Sequence, residues 1–355
     1  MQSNFDGIYK GKKVLLTGHT GFKGSWLALW LKELGAEVIG YSLKPPTKPN
    51  HFELLDLDMI SIIGDIRDKK RVQEVFDKYQ PDIVFHLAAQ PLVRYSYANP
   101  VETFETNIMG SINIFEAARH TASVKAIVNI TSDKAYENKE WIWGYRENDP
   151  MGGHDPYSAS KGAVEIVTSS YRNSFFNNDD YGVNHHTLLA SCRAGNVIGG
   201  GDWADDRLIP DIMRAVDRGE RVEIRSPKAT RPWQHVLEPL SGYLLIGQRL
   251  LEGKKEFAEG WNFGPSDEGS ITVEEVVKYI KRYWDKIDYI ISEDKNSLHE
   301  ANLLKLDCSK AHFKLKWKAK WNAQMTFEMT VDWYKIFYEN GIINSQQQLN
   351  QYIGS

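Results

Sequence analysis

Gly18-His-Thr-Gly21-Phe-Lys-Gly24 follows the apolar run Lys13-Val-Leu-Leu-Thr17 directly and opens an amphipathic stretch over Ser25–Leu34. Glycines at such a junction permit a tight turn, close approach of backbone to a pyrophosphate and close helix-to-strand packing, while free N–H groups at the helix start meet the anion. Glycine spacing alone is a weak signal. Between an apolar strand and a helix, near the N-terminus, it becomes a strong one. The stretch predicts a dinucleotide site in a βαβ unit, with Gly18, Thr20, Gly21, Phe22, Lys23 and Gly24 against the cofactor.

The alternation continues from Lys12 to about Arg193. β-rich runs at Lys13–Thr17, Glu37–Tyr41, Ser61–Gly64, Ile83–Leu87, Ala126–Thr131 and His186–Cys192 are separated by helical patterns at Ser25–Leu34, Lys69–Tyr79, Val101–Arg119 and Pro156–Phe176. Such helices are long enough to be crossovers between parallel strands. The fold class expected is α/β: a Rossmann-type doubly wound parallel sheet with a smaller C-terminal α/β substrate lobe. Residues 1–192 are assigned to the dinucleotide-binding domain, with the chain returning to it over 233–256, and 193–355 mainly to the substrate lobe. A glycine-rich loop, Gly195-Asn-Val-Ile-Gly-Gly-Gly201, marks the change of rhythm.

Composition excludes several classes. A 355-residue chain with a formal charge of -4 and a pI near 6.2 lacks the broad basic surface of a nucleic-acid binder. An anionic substrate must therefore be met by a few placed cations. Cys192 and Cys308 do not make a disulfide framework, and no Cys/His pattern announces a metal, so a reducing compartment is expected. The start, MQSNFDGIYKGKK, has no apolar signal core, and no apolar run approaches bilayer length; these point to a soluble cytoplasmic protein without membrane partners.

Tyr157-Ser-Ala-Ser-Lys161 places a phenol and an ammonium four residues apart, on one helix face. A phenol titrates near pH ~10, and a neighbouring ammonium, with or without a cationic nicotinamide, favours the phenolate and brings that value toward neutrality. The second strand ends Gly40-Tyr-Ser-Leu-Lys44 without the carboxylate that binds a ribose 2'-hydroxyl. Ser42 offers a hydroxyl and Lys44 a partner for a 2'-phosphate, so NAD is preferred and NADP stays open. Asp65, followed by Ile66, is placed to accept from the adenine amino group or to N-cap the next helix. Leu87, Ala88 and Ala89 let a cofactor lie against the fourth strand's end, with His86 buried in the sheet.

Taken together, Thr17-Gly-x-x-Gly-Phe-x-Gly24, His86-Leu-Ala-Ala89, Asn107 and Tyr157-x-x-x-Lys161 resemble the extended short-chain dehydrogenases/reductases over nearly the whole chain. Within that family the block Thr131-Ser-Asp-Lys-Ala-Tyr136 separates branches: epimerases tend to carry small hydroxyl residues there, whereas nucleotide-sugar 4,6-dehydratases carry an acid and its neighbour. Asp133-Lys134, with Gln90-Pro-Leu-Val-Arg94, Gly199-Gly-Gly-Asp-Trp203 and Arg231-Pro-Trp-Gln-His-Val236, is similar to the members that act on CDP-glucose, the dTDP-glucose members reading Asp-Glu at this point.

The resemblance implies an internally recycled NAD, held also by Asn107, Tyr157 and Lys161. Tyr157 is the implied base for the sugar 4-hydroxyl, with Ser132 handing the proton on. Asp133 becomes the acid for the 6-hydroxyl and Lys134 the group near C5. Gln90, Arg94, Ser132, Asn196, Arg207 and Arg231 are the substrate residues it implies, Arg207 having a surface charge as its alternative. It further implies a homodimer or dimer of dimers through Val101–Arg119 and Pro156–Phe176, and a place in dideoxyhexose synthesis for lipopolysaccharide O-antigen. A dTDP- or GDP-sugar dehydratase and a 4-epimerase are the enzymatic alternatives. A dinucleotide-binding redox sensor is the other class, and it expects the tyrosine, lysine or acid to be missing.

One conflict is visible in the residues themselves. A charged Lys134 lowers the pKa of Asp133 and leaves it ionised where a proton donor is needed, so the two must share a proton; the alternative is a salt-bridged loop. Trp26 and Trp30 share a helix face and belong to the core, while Trp203 and Trp233 adjoin phosphate candidates and are set apart as base-stacking platforms.

Overall fold

A computed structural model describes residues 5–224, 227–265, 270–291 and 303–355. Seven strands form one parallel sheet: β1 (Lys13–Thr17), β2 (Glu37–Ser42), β3 (Ile60–Ile63), β4 (Ile83–His86), β5 (Ala126–Ile130), β6 (Leu188–Ala194) and β7 (Gly260–Phe263), in the order β7-β6-β5-β4-β1-β2-β3. Strand order reverses between β1 and β4, and ligands of such sheets bind outside the carboxyl ends of the strands at that reversal.

Period-two side-chain direction makes the sheet two-faced. Val14, Leu16, Phe85, Val128 and Ala190 join one core with Trp26 and Trp30 of α1 (Phe22–Glu33), as expected for that helix face. Leu15, Ile39, Val84, Ile127 and Leu189 point the other way, against Val72 and Phe76 of α2 (Lys69–Tyr79) and Ile114 and Phe115 of α3 (Gly110–Arg119). Each Val, Leu, Ile or Phe among them contributes about 1.5–3 kcal/mol when fully buried. Helices therefore cover both faces.

Strand positions agree with the sequence rhythm to within a residue or two, but three elements differ. Helix α1 begins at Phe22, not Ser25, because Gly21 is its N-cap and its amide already bonds the Gly18 carbonyl at 3.1 Å. The stretch expected as one helix over Val101–Arg119 opens into a wider π turn at Glu105–Met109 before α3. Strand β7 was not announced by the rhythm: it follows α6 (Leu237–Leu251), which packs on β5 and β6, and it pairs in parallel with β6. Two more helices matter for the site, α4 (Pro156–Ser174) and α5 (Leu208–Arg218). Among the described residues no helix is long and apolar enough to cross a membrane.

Candidate active site

The glycine turn is shaped as a cradle. Gly18 has φ +77°, and a Cβ there would stand 2.8 Å from the Ala88 amide nitrogen; a Cβ on Gly24 would stand 2.0 Å from the Gly18 carbonyl oxygen. Only glycine permits this approach of β1, α1 and the end of β4. Thr17 Oγ1 accepts from the Leu87 and Ala88 amides at 3.1 Å each, fixing the loop after β4 beside the turn, and His86 lies buried, bonded to Thr17 and Ser111. The first-turn amides of α1 thus face the reversal point, and the donor set fits a dinucleotide pyrophosphate.

Around it the expected contacts are partly engaged within the protein. Ser42 and Thr20 share a 2.9 Å hydroxyl bond. Asp65 is taken by Arg67, with Nη2 2.6 Å from Oδ2; burial pushes its carboxyl up, but the bonds and charge of Arg67 outweigh this and hold it below its ordinary value. Asp65 does not cap α2. Asp68 does, accepting from the Arg71 amide at 3.0 Å, since its spacing to the first turn is the one a cap needs. Ile66 is buried against Gly110 and packs in the core.

Asn107 stands in the π turn and ties two parts of the site together. Its Oδ1 accepts from the Gln90 amide at 2.8 Å and its Nδ2 donates to the Gln90 carbonyl and to Ser160, which in turn donates to the Tyr157 carbonyl at 2.7 Å. The Gln90 side chain donates to Leu92 O and Thr103 Oγ1 and accepts from the Leu92 amide. Its amide thus braces the loop beside Ala89.

Tyr157 and Lys161 project from α4, whose N-terminus is capped by Asp155, accepting from the Ser158 amide at 2.9 Å. Both side chains are buried. Burial pushes the phenol up to about 12; the Ser132 hydroxyl works against this and the Asp133 charge with it. The expectation that the neighbouring ammonium brings Tyr157 toward neutrality is therefore corrected: desolvation of the phenolate wins within the protein's own charges. Lys161 is itself lowered to about 8, by burial and by the Lys23 ammonium, with Glu165 opposing.

Asp133 sits on a short 3-10 turn, Asp133–Ala135, directly after β5. Ser132 Oγ donates to Asp133 Oδ1 at 2.9 Å and accepts from the Lys134 amide at 3.2 Å. Burial raises the Asp133 carboxyl above its ordinary value, exceeding the lowering by Lys134, Ser132 and Lys23. The conflict seen in the sequence resolves toward a protonatable acid, and the carboxylate bonds Ser132 instead of a salt-bridged Lys134.

Cations gather near these groups. Arg207, at the N-cap of α5, pairs with Asp202 at 2.8 Å, and Asp202 is fixed by Tyr334, whose hydroxyl oxygen accepts from its amide at 3.0 Å. The charge of Arg207 acts on both Tyr157 and Lys23, so it belongs to the cleft and is no isolated surface charge. Lys23 is lowered to about 8, by burial and Arg207, with Asp133 and Asp202 opposing. Arg94 pairs with Asp206 at 3.5 Å at the rim. Asn196 is half-buried just after β6, its carbonyl held by the Gln234 amide. The Arg231 backbone pairs with Ile271, while its side chain lies outside the described residues. Trp203 packs against Trp333, Tyr334 and Phe337, and Trp233 against Phe327; both are core residues, which corrects their assignment as base platforms.

A group of cations, a buried acid and a Tyr/Lys pair thus meet at the switch point of a doubly wound sheet. The sequence profile of the GDP-mannose 4,6 dehydratase family matches residues 15–330. The chain belongs to the GDP-mannose 4,6 dehydratase family. It is 52% identical to the CDP-glucose 4,6-dehydratase of Salmonella typhimurium, over 98% of both chains. It is 26% identical to a probable dTDP-glucose 4,6-dehydratase of Sinorhizobium fredii over 93% of each. Its fold is shared by the UDP-glucose 4-epimerase of Thermotoga maritima, with a TM-score of 0.78 at 23% identity, covering 92% of this chain and 100% of that one.

Three residues of this dehydratase-family chain shape the site and went unassigned in the sequence: Asp202, Glu165 and Arg193. Asp202 lies inside the quoted Gly199–Trp203 motif. Glu165 follows Lys161 by four residues, hence on the same helix face. Arg193 is a charge in a strand that is otherwise buried throughout, and a buried charge needs a partner.

Proposed function

We propose that the protein converts CDP-D-glucose to CDP-4-dehydro-6-deoxy-D-glucose and water, acting as a hydro-lyase. The observation that carries the reading is the buried Asp133, raised toward a proton donor and linked through Ser132 to Tyr157. An oxidation pair with an adjacent acid suits elimination, whereas a 4-epimerase has no leaving hydroxyl to protonate. The choice of CDP-glucose is supported by the full-length likeness to the Salmonella typhimurium enzyme.

In this mechanism Tyr157 takes the proton of the sugar 4-hydroxyl, the positive charge of a bound nicotinamide offsetting the desolvation that raises its phenol, and Ser132 orients that hydroxyl. NAD, when bound along the Gly18–Gly24 turn, supplies the acceptor for the C4 hydrogen and returns it to C6, so it is neither consumed nor produced. A ketone at C4 acidifies C5–H, whose proton Lys134 removes and gives back to C5 when hydride arrives at C6. Asp133 gives its proton to the 6-hydroxyl, which leaves as water. Lys161 holds the Tyr157 end of the cleft positive. Arg207, together with Arg94, Asn196 and Arg231, is assigned to the diphosphate, whose charge strengthens each such bond.

The same proposal includes a cytoplasmic homodimer serving surface-polysaccharide synthesis. Val101, Phe104, Met109, Ile166 and Phe175 are exposed apolar residues on or beside the expected pairing helices, and they support such an interface. The test is incubation with NAD and, separately, CDP-glucose, dTDP-glucose and GDP-mannose. Loss of one water to give an alkali-sensitive keto sugar is expected with CDP-glucose. Equal turnover of the other two, or none of CDP-glucose, contradicts the reading.

A further inference from the structure

Behind the cleft lies an ion pair that no step above uses. Glu165, on the turn of α4 after Lys161, and Arg193, in β6, are both buried and pair at 2.8 Å. Glu165 Oε2 accepts from Arg193 Nη2 and from Ser191 Oγ, each at 2.8 Å, while Oε1 accepts from Thr131 Oγ1. Arg193 Nη1 donates to the Tyr136 hydroxyl and to the Glu147 carbonyl, and the Tyr136 hydroxyl donates to Asn262 Oδ1 at 2.8 Å. Burial pushes the Glu165 carboxyl up, but Arg193 and the hydroxyl donors outweigh it, so the pair stays charged.

Thr131 and Tyr136 are the residues immediately before and after Ser132–Ala135. The carboxylate therefore grips one end of the turn that carries Ser132 and Asp133, and the guanidinium grips the other. A buried ion pair is a costly way to gain stability, because desolvation takes back most of the Coulomb attraction. What it provides is fixed geometry at two points.

We propose that the Glu165–Arg193 pair is a positioning device, clamping both ends of the Ser132–Ala135 turn to the helix that carries Tyr157 and Lys161. The proposal rests on reading those residues as the reacting group. It also accounts for the charge near Lys161: Lys23 on α1 disfavours its ammonium, neutral His86 on β4 adds nothing, and among the described residues Glu165 supports it.

Three variants test the clamp without emptying the core. Thr131→Val removes one grip and Tyr136→Phe the other, leaving the ion pair intact; Thr131→Ser restores the hydroxyl. With CDP-glucose, each of the first two is expected to lower kcat about tenfold, equivalent to about 1.4 kcal/mol, with KM within about twofold, and Thr131→Ser to recover the wild-type kcat. Unchanged kcat in both, or a loss that serine does not rescue, overturns the proposal. Competitive acetylation of Lys161 across pH, read by mass spectrometry, gives an answer independent of turnover: its midpoint should move to lower pH in Glu165→Gln. An unmoved midpoint in folded Glu165→Gln contradicts the pair's hold on Lys161. Should Glu165→Gln not fold, the Thr131 series decides. Wild-type protein inactive on CDP-glucose counts against the functional reading, and the acetylation midpoint then judges the clamp by itself.

Discussion

Gly195→Ala tests the placement of the acid through a single added methyl group. The Gly195 φ is not in the left-handed region, so alanine costs no backbone strain there. Its Cβ, however, would stand 2.7 Å from Asp133 Oδ2, where ordinary contact begins at 3.4 Å, so the carboxylate must retreat by about 0.7 Å. Asp133 is buried, and its Oδ1 is tied to Ser132 at 2.9 Å, so retreat means turning the carboxylate and lengthening that bond. Misplacement of a reacting group by about 1 Å costs on the order of 100-fold in rate. We therefore expect kcat for dehydration to fall about 10- to 100-fold, with dinucleotide affinity unchanged. The 4-keto sugar still carrying its 6-hydroxyl should accumulate, because the oxidising pair on α4 is untouched. Chromatographic separation of the two keto sugars by mass reads this out. If Gly195→Ala dehydrates at the wild-type rate, the carboxylate seen against Gly195 is not the acid.

Stability should fall on acidification. Burial lowers His51, His86 and His235 to about 3, so below the unfolded value near ~6.5 the unfolded chain takes up protons that the folded one refuses. The contribution is full above that value and is lost as pH falls toward 3, at about 1.4 kcal/mol per unit for each histidine, hence about 2 kcal/mol each at pH 5; a flat thermal midpoint between pH 7 and 5 contradicts it. Gly18→Ala should weaken NAD binding at least about tenfold by closing the cradle, measured by fluorescence titration. Gly11→Ala, also at positive φ but with nothing within 4 Å, should leave it unchanged. Tyr157→Phe should reduce kcat by about 100-fold or more while the protein still binds NAD; near-normal turnover would remove the tyrosine from the chemistry.

What the sequence carried legibly is what local geometry demands. A glycine turn between strand and helix, a Tyr/Lys pair one helical turn apart and short β-rich runs are each dictated within a few residues, and Lys69–Tyr79 comes out with the boundaries read from the chain. The π turn around Asn107 was hidden because its apolar periodicity runs straight through. Strand β7 is only four residues long and carries the polar Asn262, whose side chain is buried by contacts from Tyr136, Tyr145 and Asp307. The sign of the Tyr157 shift depends on burial, a tertiary quantity, and so did the outcome of the contest between Lys134 and desolvation at Asp133. Gln90, Trp203 and Trp233 lie in motifs near the cleft, yet their side chains turn to brace a loop or fill the core, a direction that spacing does not encode.

The most direct measurement follows one atom. With CDP-glucose carrying deuterium at C4, the account predicts that the deuterium appears in the C6 methyl group of the keto product, with no net change in NAD. Deuterium found again at C4 of an epimerised sugar, or lost to solvent with accumulation of reduced cofactor, contradicts it.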